Sequence, residues 1–184
     1  ALLEAATLHS NLLITAESRL KSLARHSPAS FAFLEQLRGY SSRVVWDVCK
    51  SVGLSVAVIG ERHNPDWSNR CLDEDLKLVD GVDLIKLRLV RALLALPDVL
   101  VMDEFGDDMT TEDLNAVVKV LRQYLEFKLP GIDETSASAL LKAKSGIRTI
   151  LWSGHERTLR SHLDQKNRVF SLQSVSKISV DGAW

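Results

Sequence analysis

The chain has 184 residues, which is enough for one domain with a full hydrophobic core and barely enough for two small ones. Hydrophobic residues make up 46% and charged residues 26%, ordinary globular values that exclude a disordered tail or a fibrous repeat. Lys and Arg number 23 against 24 Asp and Glu, a net charge of -1, so no basic excess is present to neutralise a nucleic-acid backbone. We therefore expect no nucleic-acid partner.

The two cysteines and the apolar runs argue against further classes of protein. Cys49 and Cys71 form no CxxC motif and have no histidine at ligand spacing, which argues against a disulfide framework and a zinc site. No apolar run approaches the roughly 20 residues that span a bilayer, so we expect no transmembrane segment. The chain begins with Ala1 inside sequence that reads as folded, and we expect it to be a piece of a longer polypeptide.

The first third of the chain has the apolar spacing of helices. That spacing predicts three helices, over 8–25, 31–38 and about 42–51. Gly53 can take the left-handed conformation that ends the third helix. The polar stretch 60–76 indicates an irregular loop.

The remainder alternates helices with short apolar strands. A helix over 83–96 is apolar nearly all round except for three basic residues, so we expect it to be buried on most sides. The unbroken apolar run in 98–104 predicts a strand buried on both faces of a parallel sheet. The following elements are a helix over 112–125, a strand over 148–152, and a terminal pair of strands over 168–172 and 177–180. This alternation predicts an α/β layered domain.

Two adjacent carboxylates, Asp103 and Glu104, follow the first apolar strand. In α/β sheets, ligands bind beyond the carboxyl ends of parallel strands. An aspartate there can hold the water shell of Mg²⁺, and an adjacent glutamate can orient or deprotonate an attacking water. Taken alone, such a pair is also typical of turns and helix caps.

The segment 79–104 (VDGVDLIKLRLVRALLALPDVLVMDE) resembles the signature helix and Walker B strand of ATP-binding cassette (ABC) ATPases. The family pattern is LSGGQ, a helix ending in ARALL, a proline, an apolar strand and Asp-Glu. The letters RALL at 91–94, then Pro97 and Asp103-Glu104, match this pattern in register.

Three further stretches extend the resemblance over essentially the whole chain. The text TILWSGHE at 149–156 is similar to the H-loop, a strand that ends in a histidine, here His155. The text at 168–182 is similar to the C-terminal hairpin of the family. The text ATLHSNLL at 6–13 resembles the sequence that follows the Q-loop in exporter-type cassettes.

The resemblance implies a P-loop NTPase-like ABC core, a parallel sheet with flanking helices, together with a helical subdomain. Residues 1–83 would form the helical subdomain and signature loop. Residues 84–184 would carry the signature helix, Walker B, D-loop, H-loop and C-terminal strands. The fold would be incomplete without an N-terminal half.

The same resemblance implies ATP-driven transport, with ATP and Mg²⁺ as cofactors. Asp103 would hold the Mg²⁺-bound water, Glu104 would be the general base or water-orienting residue, and His155 would sense the γ-phosphate. The implied partners are a transmembrane domain, a second nucleotide-binding domain and a P-loop-bearing half. The implied location is the cytoplasmic face of a membrane.

The phosphate-binding loop of the family is missing from this sequence. No GxxxxGK[ST] motif occurs, and none of the nine glycines is followed by lysine. The chain alone therefore lacks the amide nest and the lysine that hold the β- and γ-phosphates, and we expect it to bind ATP poorly and to be inactive alone. A P-loop would come from the parent polypeptide or from another chain.

The signature is degraded to VDGVD at 79–83. In the family this turn presents donors to the nucleotide of the partner cassette, a role that falls here on Asp80, Gly81, Val82 and Asp83. Carboxylates at a helix N-terminus are good caps, but they occupy the donors that a phosphate needs and repel its charge. Asp80 and Asp83 are also explained as simple helix caps.

The D-loop position is a further departure, since Asp107-Asp108-Met109-Thr110 stand where the family has SALD. We expect one competent and one degenerate site in an asymmetric pair of cassettes. The alternative is a catalytically inactive pseudo-ATPase that acts as a structural or regulatory interaction module. A chromosome-maintenance ATPase is disfavoured, because no long heptad stretch precedes residue 79.

We also expect the sheet of the isolated chain to have unpaired edges and exposed apolar faces.

Overall fold

The computed structural model describes residues 7–24, 42–60, 79–126, 128–130 and 148–154. The elements in chain order are α1 (Leu8–Ala24), α2 (Ser42–Ser51), α3 (Val56–Ile59), α4 (Gly81–Leu94), β1 (Val99–Met102), α5 (Thr111–Leu125) and β2 (Thr149–Trp152).

The helices and strands predicted within these ranges are confirmed. Four predicted helices, over 8–25, about 42–51, 83–96 and 112–125, correspond to α1, α2, α4 and α5 with ends that move by at most two residues. The predicted strands correspond to β1 and β2. The predictions for 31–38, 61–76, 168–172 and 177–180 lie outside the described residues.

The two strands form a parallel pair whose register runs from Val99 opposite Thr149 to Met102 opposite Trp152. Parallel strands need a crossover connection, and α5 lies in it. Burial alternates along β1: Leu100 is buried, whereas Val101 is 67% exposed. The prediction of a strand buried on both faces is therefore wrong, because only one face of this pair packs against the helical core.

The open face of the sheet is apolar. Val99 and Leu151 are each 54% exposed and lie on this face together with Val101. The expectation of an exposed apolar sheet face is confirmed for the described residues.

One hydrophobic cluster connects the helices with the inner face of the sheet. Helix α4 is its centre, with Leu87, Val90 and Leu93 fully buried. Helix α1 packs along α4, and Arg91 Nε donates a hydrogen bond of 2.8 Å to Thr15 Oγ1 beside this contact. Cys49 of α2 is also fully buried, and burial raises the pKa of its thiol, as expected for an inert core cysteine.

Tyr124 and Arg148 fix the end of the sheet where both strands begin. The Tyr124 hydroxyl donates a hydrogen bond to the carbonyl oxygen of Pro97, just before β1. Arg148, just before β2, donates from Nη1 to Tyr124 O at 2.7 Å, and its guanidinium lies 4.1 Å from the centre of the Tyr124 ring. The C-terminal turn of α5 therefore holds the starts of both strands.

Within the described residues, no helix combines the length and the hydropathy that crossing a bilayer requires.

Candidate functional site

The predicted catalytic pair lies at the carboxyl edge of the parallel strands. Asp103 and Glu104 follow β1, and Ser153 and Gly154 follow β2. Ser153 N donates a hydrogen bond of 2.9 Å to Met102 O, which extends the strand pairing to this edge. The two chain segments therefore lie side by side. We call Asp103, Glu104, Asp107 and Ser153 the strand-end site.

The hydroxyl of Ser153 joins the two members of the carboxylate pair. It donates a hydrogen bond to Asp103 Oδ1 and accepts one of 3.1 Å from Glu104 N. Both carboxylate residues are exposed to solvent. The arrangement therefore fixes Asp103 by its side chain and Glu104 by its backbone, while both remain accessible to a ligand.

The backbone at the strand-end site is strained. Glu104 has φ of 48°, in the left-handed region that a residue with a Cβ rarely occupies. Such a conformation costs about 1–3 kcal/mol and persists only where its surroundings hold it. Gly106 follows with φ of 95°, so the chain turns sharply between β1 and α5.

Two aromatic residues anchor this turn to β2. Trp152 Nε1 donates a hydrogen bond of 2.8 Å to Phe105 O. The Phe105 and Trp152 rings meet edge to face, with centroids 5.8 Å apart and planes at 79°. The turn that carries Glu104 is thereby tied to the end of the neighbouring strand.

Asp107 and Asp108, which the resemblance places at the D-loop position, are exposed in the turn that precedes α5. Asp107 lies next to the end of β2, because a Cβ placed on Gly154 would be 3.5 Å from Asp107 Oδ1. The structure therefore brings Asp107 to the same edge as Asp103. His155, the residue after Gly154, lies outside the described residues.

The oxygen donors at this edge fit a hydrated Mg²⁺ ion. Among the described residues, no three His, Cys, Asp or Glu side chains form a group that could hold a metal ion. Mg²⁺ usually keeps several waters and is bound by one or two carboxylates together with substrate phosphates, so it does not need such a group. Asp103, with one carboxylate oxygen fixed by Ser153, matches the single-carboxylate mode.

The turn at 79–83, which the resemblance makes a degraded signature, has a carboxylate at the N-terminus of α4. Asp80 caps α4, and its Oδ1 accepts a hydrogen bond of 2.6 Å from Asp83 N, one of the donors that an anion at this helix end would use. The cap interpretation of Asp80 is confirmed. Gly81 is exposed and Val82 is half-buried. Contact of this turn with a partner's nucleotide stays a prediction.

The interpretation of Asp83 as a simple helix cap is wrong, because its carboxylate accepts hydrogen bonds from Ser55 and not from the amides of its own helix end. Asp83 is 5% exposed, and its Oδ2 accepts a hydrogen bond of 2.6 Å from Ser55 Oγ. Its Oδ1 accepts from Ser55 N at 3.3 Å. The side chain of Asp83 therefore connects α4 to the loop before α3.

Sequence reasoning missed the role of Lys86. The prediction set it apart as a polar exception on an apolar helix, but it is only 3% exposed. Its ammonium donates hydrogen bonds to Gly53 O at 2.7 Å and to Asp113 Oδ1 at 2.5 Å, and Asp83 Oδ1 lies 4.0 Å away. A single lysine within an otherwise apolar helix face is the sequence signal that points to a buried ion pair.

Lys86 links the two segments that the resemblance places near a partner cassette. Asp113 lies in the first turn of α5, which begins three residues after Asp108. The hydrogen bond from Lys86 holds the pKa of the Asp113 carboxyl below its ordinary value, so this carboxyl is ionised at neutral pH. Lys86 thereby joins α4 to the first turn of α5.

No protein-family model, curated protein or solved structure matches the chain. The assignment of a function therefore rests on the residues of the strand-end site and on their geometry.

Proposed function

We propose that the chain is the C-terminal portion of the nucleotide-binding domain of an exporter-type ABC transporter. In this proposal its parallel strands belong to a P-loop NTPase-like sheet, which a P-loop-bearing half completes. The observation that carries the proposal is the strand-end site. Asp103 and Glu104 leave one parallel strand beside the end of the next, where α/β sheets bind ligands.

In this proposal the strand-end site contributes two carboxylates to ATP hydrolysis. Asp103 would hold a water of the Mg²⁺ shell, and Glu104 would orient or deprotonate the attacking water. His155 follows the end of β2 by sequence and would sense the γ-phosphate. Since the sequence contains no P-loop, the β- and γ-phosphates would be held by the missing half.

The signature turn supports an asymmetric pair of ATP sites. Asp80 stands at the position of the family's serine, which donates to the partner's nucleotide, and its carboxylate repels phosphate. The same carboxylate accepts the hydrogen bond from Asp83 N at this helix end. The site of the partner cassette would therefore be weak. A transmembrane domain would place this chain at the cytoplasmic face of a membrane, and nucleic acid has no part in the proposal.

A second candidate is a pseudo-ATPase that keeps the fold as an interaction module. The missing P-loop and the VDGVD sequence at 79–83 favour it. The retained pair of Asp103 and Glu104 at the strand ends opposes it.

The test is the Mg²⁺-dependent ATPase rate of the parent polypeptide, compared with its Glu104→Gln variant. Since general-base catalysis contributes about 10²–10⁴-fold, the rate should fall by at least about 100-fold. Glu112→Gln is the matched control, because Glu112 is an exposed glutamate in the first turn of α5, outside the site. Equal rates in Glu104→Gln and wild type would refute the assignment. Absence of both hydrolysis and nucleotide binding in the wild type would favour the pseudo-ATPase.

A further inference from the structure

The hydroxyl of Ser153 makes hydrogen bonds that the pairing of the strands does not require. The strand register at this edge is already fixed by the backbone bond from Ser153 N to Met102 O. The side chain makes two additional bonds, to Asp103 Oδ1 and from Glu104 N. These two bonds connect residues about 50 positions apart in the chain, since the separations are 50 and 49.

The hydrogen bond from Ser153 Oγ fixes the orientation of the Asp103 carboxylate. A serine hydroxyl has one proton to donate, and Ser153 gives it to Oδ1. The second oxygen, Oδ2, takes no part in this bond, so the carboxylate offers one defined oxygen to the water shell of a metal ion. An exposed aspartate without such a bond would rotate about χ2.

The hydrogen bond from Glu104 N to Ser153 Oγ helps to hold the backbone conformation of Glu104. Glu104 is in the left-handed conformation, which an L-residue keeps only when neighbouring groups hold it. Ser153 Oγ accepts a hydrogen bond from the amide of this residue, and the Trp152 indole donates one to the carbonyl oxygen of the next residue, Phe105. The glutamate is therefore held at a fixed position relative to Asp103.

We propose that Ser153 is a positioning residue that sets the relative placement of Asp103 and Glu104 for Mg²⁺-dependent hydrolysis. This inference rests on the proposed function. Ser153 itself would touch neither the nucleotide nor the reacting water. Because Ser153 precedes His155 by two residues, the same hydroxyl also ties the segment that leads to the histidine to the carboxylate pair.

The first arm of the test measures hydrogen exchange of the Glu104 amide by NMR in the polypeptide used for the ATPase assay. Ser153→Ala removes the acceptor and should speed this exchange about tenfold or more, whereas Ser153→Thr keeps a hydroxyl and should stay within about threefold of wild type. Ser51→Ala is the matched control. It removes a serine hydroxyl that donates to Asp47 O at 2.7 Å inside α2 and should leave Glu104 unchanged.

The second arm measures kcat and KM for ATP. Ser153→Ala should lower kcat about tenfold with KM unchanged, because in this proposal the nucleotide is held by the P-loop of the missing half and not by the strand-end site. Ser153→Thr should restore kcat, a rescue that a purely structural role of the serine does not predict. Unchanged kcat in Ser153→Ala, or unchanged exchange at Glu104, overturns the proposal.

The two arms separate this inference from the proposed function. If the wild type hydrolyses no ATP, the proposed function fails. The exchange rate of the Glu104 amide then decides by itself whether Ser153 positions the pair.

Discussion

Replacing Gly106, in the turn between β1 and α5, with alanine is expected to lower the free energy of unfolding. The φ of Gly106, 95°, lies in the region that disfavours side chains. A Cβ built on it would be 2.5 Å from Leu114 Cδ2, and Leu114 is 5% exposed in the core. Gly106→Ala therefore combines a backbone penalty with a steric one.

The expected cost follows from these two parts. The left-handed conformation costs an L-residue about 1–2 kcal/mol. Overpacking a core side chain costs about 1–3 kcal/mol, and because Leu114 is buried, the shift of its Cδ2 has to be accommodated within the core. We expect Gly106→Ala to lower the free energy of unfolding by about 2–5 kcal/mol, which corresponds to roughly 4–20 °C in Tm for a chain of this length.

Urea unfolding, followed by circular dichroism, measures this change. Gly81→Ala is the matched control: a Cβ there meets nothing within 4 Å, and the site is the first residue of α4, where alanine favours the helix. We expect the control to be neutral or to stabilise the chain by up to about 1 kcal/mol. Gly106→Ala in a Leu114→Ala background should lose the steric part and cost only about 1–2 kcal/mol.

Two results would refute this reasoning. One is a cost of Gly106→Ala below about 0.5 kcal/mol, since the φ of the residue alone demands more. The other is an equal cost in the wild-type and Leu114→Ala backgrounds, which would mean that the Cβ does not meet Leu114.

Two further predictions concern the polar contacts of α4. The hydrogen bond from Lys86 lowers the pKa of Asp113 in the folded state. This interaction therefore stabilises the fold fully at a pH above the unfolded-state pKa of about 4. The contribution is lost as the pH falls through the lower folded-state pKa. Urea unfolding of Asp113→Asn should therefore show lower stability at pH 7 and a shallower loss below about pH 5, and an acid slope equal to that of wild type would contradict the ion pair. Asp80→Ala removes the N-cap of α4 and should cost about 1 kcal/mol in the same assay, whereas Asp80→Asn, which can still cap, should be nearly neutral. Equal losses in the two Asp80 variants would show that its charge and not the cap bond matters.

The sequence by itself determined the helices and strands within the described ranges. The apolar spacing of α1, α4 and α5 repeats with the period of a helix, a local property that needs no knowledge of neighbours. The short apolar run before Asp103 likewise predicts a strand, and the carboxylates at its end predict a ligand-binding edge. Such features are encoded within about ten residues of chain.

The tertiary structure alone decided how the polar groups are used. The apolar run of β1 does not reveal that Val101 lies on an open face, because this depends on which elements cover the sheet. Burial of Lys86 depends on Asp113 and Gly53, which are 27 and 33 residues away. The bond from Ser153 to Asp103 joins positions that only the parallel pairing of β1 and β2 brings together. Each of these contacts arises from packing between distant segments, and local periodicity does not contain that information.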